Sequence, residues 1–172
     1  MIKIRFIMRL FFVLLAIFVV SFNVKATHLM GGEITWECVK IGPDAGKYIF
    51  NVRVYRDCQG VPISTSMNLD VHNIPGLSTI SLLYLGSNDI SPLCNTINGS
   101  NIPFSCGGVN TQTGNGNGAV EEHIYKSAPI EINGTPDANG WHFTWSGCCR
   151  NLAITNLTNA ALNNTGFTLR AV

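Results

Sequence analysis

Six cysteines stand behind an N-terminal segment with the three parts of an export signal, and that combination limits the fold more than any other feature. Lys3, Arg5 and Arg9 make a basic start, Leu10 to Val24 is uncharged and strongly apolar, and Val24 and Ala26 are small residues at a cleavage point. A helix that spans a bilayer needs about 20 apolar residues, whereas this run has 15. Cleavage after Ala26 is therefore expected rather than a retained anchor, and membrane contact ends with the signal-peptide helix. Lipid attachment is not expected either, because the first cysteine is Cys38.

Removal of residues 1–26 leaves residues 27–172, the size of one ordinary domain. It also takes away Lys3, Arg5, Arg9 and Lys25, leaving seven basic residues against ten acidic ones, a net charge of −3. The +1 of the whole chain belongs to the signal. A mildly acidic domain has no basic stripe for nucleic acid. An even set of cysteines in an exported chain reads as disulfides. Zinc ligands usually come as pairs about two to four residues apart, and here the close pair, Cys148 and Cys149, is adjacent.

Beyond the signal the chain reads as short strands broken by Gly, Pro and Asn. Over 33–40, Ile34, Trp36 and Cys38 alternate with Glu33, Thr35 and Glu37; over 47–56, Tyr48, Phe50, Val52 and Val54 alternate with Asn51 and Arg53. Such alternation marks strands with one buried face. The intervening Gly42-Pro43-Asp44-Ala45-Gly46 is turn chemistry, so these strands form a hairpin. Further strands are expected over 67–73, 79–85, 120–125, 128–132, 140–147, 150–157 and 166–171, with Trp141, Phe143 and Trp145 on one face opposite His142 and Thr144. Short strands at this spacing predict an all-β, disulfide-stapled, two-sheet immunoglobulin-like sandwich. Residues 107–118 hold five glycines and read as a surface loop. The sequence stops inside the last strand pattern, so the domain over 27–172 is expected to be truncated at its C-terminus, the first module of something longer.

Hairpin geometry constrains the cysteines. With a turn near Asp44, Cys38 faces about position 50 and Cys58 lies some eight residues further on. At about 3.3 Å per residue this exceeds the roughly 7 Å that a disulfide tolerates, so Cys38 and Cys58 do not join. Adjacent Cys148 and Cys149 face opposite ways. Cys94 and Cys106 bracket a short loop and are expected to close it, leaving Cys38 and Cys58 shared between Cys148 and Cys149. Those bridges would bring Tyr55-Arg56-Asp57-Cys58 beside Cys148-Cys149-Arg150-Asn151. The result is a structural polar cluster of Arg56, Asp57, Arg150 and Asn151, with Asp57 paired to Arg150.

Catalytic logic is not visible. A hydrolase needs a nucleophile, a base and an orienting group, yet His28, His72, His123 and His142 are scattered and no Gly-x-Ser-x-Gly turn occurs. Glu121 and Glu122 precede His123, but neighbours in a strand face opposite ways and are not expected to share a site. Asp57, Asp70 and Asp89 stand apart, with no calcium-loop pattern. No cofactor or metal is expected, and the chain is read as non-catalytic. A secreted hydrolase or enzyme accessory domain with no recognisable motif is the alternative.

Three stretches carry a resemblance. They are Ala26-Thr27-His28-Leu29-Met30-Gly31-Gly32-Glu33-Ile34-Thr35-Trp36-Glu37-Cys38, Val54-Tyr55-Arg56-Asp57-Cys58 and Cys148-Cys149-Arg150-Asn151. Together they resemble the N-terminal region of large secreted surface proteins of Bacteroidetes. Such proteins continue into PKD-like or other immunoglobulin-like repeats and end in a gliding-motility-associated C-terminal domain used in type IX secretion. The resemblance spans the mature chain and brings no catalytic residues. It implies a secreted or cell-surface, adhesin-like module whose partners are a cell-surface glycan, a protein or adjacent modules of a longer chain. Neither repeats nor a sorting domain occur in this sequence.

Overall fold

The hairpin forms as its alternation predicts. In the computed structural model, which describes residues 29–58, 60–92, 105–106, 119–148, 150 and 166–172, β1 (Leu29–Cys38) pairs antiparallel with β2 (Tyr48–Asp57). The turn is centred one residue earlier than expected, on Pro43, so Cys38 faces Tyr48. Gly42 and Gly46 hold φ of 90° and 89° there, a region that glycine enters without a Cβ penalty.

Five more strands follow: β3 (Ser66–His72), β4 (Thr79–Asp89), β5 (Val120–Ser127), β6 (His142–Cys148) and β7 (Gly166–Ala171). They join β1 and β2 in one antiparallel sheet of order β1-β2-β5-β4-β3-β6-β7. The all-β expectation holds, whereas among the described residues the hydrogen bonding shows one sheet and not the expected two. The sheet curls until its edges meet, with β1 touching β7 and Leu29 forming a parallel bridge to Arg150. Since β3, β4 and β5 are consecutive neighbours while β6 returns beside β3, the topology is a Greek key.

Closure depends on missing side chains. A Cβ on Gly32 would lie 2.6 Å from the Arg53 carbonyl oxygen and 2.8 Å from Leu169 Cδ1; one on Gly147 would lie 2.7 Å from the Trp145 ring and 2.9 Å from Leu29 Cδ1. The enclosed core includes Leu29, Phe50, Val52, Val54, Leu69, Ile80, Tyr125 and Phe143. Phe50 of β2 and Phe143 of β6 stack at 4.4 Å across the interior, although three strands separate them in the sheet.

Two expected strands differ. Residues 128–132 form no strand. Ile130 makes an isolated two-hydrogen-bond bridge with Tyr48, and Pro129 before it has no N–H with which to extend a ladder. Of the segment 150–157, Arg150 is a bridge residue and the rest lies outside the described residues, as does the loop 107–118.

Candidate functional site

One end of the barrel is stapled. β2, β5 and β4 run side by side with Asp57 opposite Val120 and Glu121 opposite Asp89. The connections leaving β2 and entering β5 therefore meet, and Cys58 N–H donates to Ala119 O at 3.0 Å. Asp89 Oδ2 accepts the Cys106 N–H at 2.7 Å. That contact draws Cys106 towards Cys58, and the two form a disulfide with Cα atoms 5.4 Å apart. The hydrogen bond from the Ser91 hydroxyl, with those from the Cys106 and Ser91 backbones, holds the Asp89 carboxyl below the usual carboxylate range.

The expected bridges from Cys106 to Cys94 and from Cys58 to Cys148 or Cys149 are therefore corrected. Strand pairing distant in sequence, rather than the short loop, chooses the partner. Cys38 is free and exposed, which corrects its expected bridge to Cys148 or Cys149. β1 runs nine residues from Leu29, which bridges Arg150, to Cys38, or about 30 Å at strand rise. Cys38 thus lies at the opposite end of the barrel. Cys148 is disulfide-bonded to a residue outside the described set, and Cys94, Cys149 and Asn151 also lie outside it.

Beside the staple sits a buried polar clamp built on Arg56, which is 8% exposed. Its Nη2 lies 2.6 Å from Glu121 Oε2, and its Nε donates to His123 Nε2 at 3.1 Å. Its Nη1 donates to the carbonyls of Asp57, Gly60 and Val61 at 3.3, 2.8 and 3.3 Å. The guanidinium thereby fastens the chain leaving β2 to β5. Burial pushes the Glu121 carboxyl up, but hydrogen bonds from Ser87 and His123 and the Arg56 charge outweigh it and hold the group below its ordinary value. Asp57 is fully buried at the same end. Leu29 joins the two halves of the expected cluster, pairing with Arg56 on one side and bridging Arg150 on the other. The Arg150 guanidinium meets the Gly166 carbonyl at 3.0 Å and lies 5.3 Å from the Phe167 ring centroid.

Glu121 and His123 are the partners that sequence reasoning missed. The rule that strand neighbours face opposite ways separates Glu122 from His123, but residues two apart share a face. Glu122 lies on the other face of β5, buried where Arg53 Nη1 at 3.2 Å and Asn88 Nδ2 at 3.2 Å hold it.

The other end is open and aromatic. Trp36 from the end of β1, Tyr48 and Phe50 from the start of β2, Trp141 and Phe143 around the start of β6, and Ile132 line a cavity of about 220 Å³. Pro136, Gly140 and Val172 also line it, and among the described residues no lining side chain carries a charge. Trp36 is 50% exposed and meets Tyr48 edge to face at 5.7 Å. The indole nitrogen of Trp141 is covered and has no hydrogen-bond partner. Among the described residues no three His, Cys, Asp or Glu side chains converge as metal ligands would.

No family model matches the chain, and no curated protein or solved structure is detectably similar to it.

Proposed function

We propose that the chain is a non-catalytic, exported β-module of a secreted or cell-surface protein. Its role would be adhesin-like, within the gliding-motility-associated surface proteins of Bacteroidetes that its sequence resembles. The observation that carries this reading is the polarity of the barrel. One end is tied by the Cys58–Cys106 disulfide and the Arg56 clamp, and the other presents an open aromatic cavity. A structural disulfide belongs to an oxidising compartment, and a rigid scaffold with one concave end suits presentation of a binding surface. The nearest thing to acid–base chemistry, Arg56 with Glu121 and His123, is spent on fastening the chain. The stacking of Phe50 on Phe143 across the interior supports reading the curled sheet as a flattened, two-layer immunoglobulin-like sandwich.

Fractionation of the native cells tests the proposal. Protease applied to intact cells should remove the protein, or the culture medium should contain it, with Cys58 and Cys106 protected from alkylation until reduced. Recovery in the cytoplasm with both thiols alkylatable would overturn it.

A further inference from the structure

We propose that the aromatic cavity at the open end binds one neutral pyranose ring of a glycan, with Trp36 as the stacking platform. The proposal rests on the reading of the chain as an exported binding module and names the ligand class of that module.

Size sets the first limit. An apolar cavity of about 150 Å³ accommodates benzene, so the 220 Å³ here suits one six-membered ring with substituents and not a chain of rings. Charge sets the second. Among the described residues the nine lining side chains include no acid and no base, so a phosphate or a sialic acid would enter without a counter-charge, and burying an unpaired charge is costly.

Lining chemistry then separates a sugar from a purely apolar guest. Five of the nine residues are aromatic, and three of these, Trp36, Tyr48 and Trp141, end in a hydrogen-bonding group. The C–H face of a pyranose packs on a flat ring, while its hydroxyls need partners at the edge. An indole face half open to solvent, as Trp36 is, offers the first. The Tyr48 hydroxyl offers the second.

The test uses the purified, disulfide-bonded chain and methyl glycosides of glucose, galactose and mannose, followed through the indole N–H signals in NMR. Trp145 lies away from this cavity, against Leu29, Met67 and Cys148, and serves as the internal control. At least one glycoside should shift Trp36 and Trp141 in a saturable way and leave Trp145 unmoved. Trp36→Ala should weaken binding at least tenfold, and Tyr48→Phe, which keeps the ring but removes the hydroxyl, several-fold. Leu83→Ala, on an exposed position of β4, should change nothing. The proposal is overturned if no glycoside moves these signals, if only alkyl or benzyl compounds do, or if the response is confined to Trp145. Because purified protein is used, failure here is separate from failure of the cellular location.

Discussion

His123 Nε2 faces two groups that it cannot serve at once. Arg56 Nε donates to it at 3.1 Å, which needs a bare lone pair, while Glu121 Oε2 stands 2.9 Å away, which needs an N–H. Nδ1 is buried without a partner, so the site leans on Arg56, whose other nitrogens are bound by Glu121 and by three carbonyls. Arg56→Ala removes the cation and leaves a carboxylate and an imidazole unpaired in a buried setting. The expected loss is about 3 kcal/mol, read from the urea midpoint at neutral pH. Acid should weaken the same site. The folded Glu121 pKa lies below its ordinary 4.5, so its contribution is present above about 4.5 and is lost as pH falls through the lower folded value. Tyr125 works in the opposite direction. Burial, with the neighbouring Tyr84, pushes its hydroxyl up to about 12, and that hydroxyl donates to the Ser64 carbonyl at 2.8 Å. Its stabilising effect is complete below the ordinary value of 10 and is lost as pH rises through about 12. Absorbance at 295 nm should therefore show one tyrosine titrating last, and Tyr125→Phe should delete that step.

Elements were legible in the sequence where their residues needed only local partners. The alternation over 47–56 predicts the buried faces of Phe50, Val52 and Val54, and the Gly42–Gly46 turn predicts the hairpin. β1 is less legible. Ile34, Trp36 and Cys38 alternate as a buried face should, yet exposure rises towards Cys38, because the strand runs out over the open end of the barrel. No local rule reports that the far edge will stop short. Closure was equally hidden. Gly31 and Gly32 sit side by side in the sequence, but the folded contacts to the Arg53 backbone of β2 and to Leu169 of the returning β7 distinguish them. A Cβ at Gly31 would meet a Tyr55 ring carbon at 3.5 Å, an ordinary contact, whereas one at Gly32 would strike the Arg53 backbone oxygen and Leu169 Cδ1 at under 3 Å. Gly32→Ala should therefore destabilise by about 1–3 kcal/mol through overpacking, with a lowered melting temperature. Gly31→Ala should be close to neutral. Equal effects from the two would mean that the packing of β1 against Arg53 of β2 and Leu169 of β7 is looser than described.

At the scale of the molecule, the staple acts on a connection that the sheet order makes long. The order β2-β5-β4 makes neighbours of strands far apart in sequence, and the disulfide closes a separation of 48 residues between Cys58 and Cys106. A pairing rule based on short loops favours Cys94 for Cys106, because it cannot see that Asp89 and Glu121 will stand opposite each other. In the chain-entropy account, a loop of this length restricts the unfolded state by about 4 kcal/mol. A single domain is commonly stable by only about 5–15 kcal/mol, so this one bond supplies a large share of what holds the fold. Replacing both residues, Cys58→Ala with Cys106→Ala, should lower the unfolding free energy by about 4 kcal/mol, while the Trp36–Tyr48 contact at the other end keeps its native near-ultraviolet signal under folding conditions. Asp89→Ala should reproduce only a small part of that loss in the oxidised protein. It should, however, slow oxidative refolding, because the carboxylate that holds the Cys106 backbone no longer presents its thiol to Cys58. A double variant as stable as the parent would show that the Arg56 clamp alone fastens that end of the barrel.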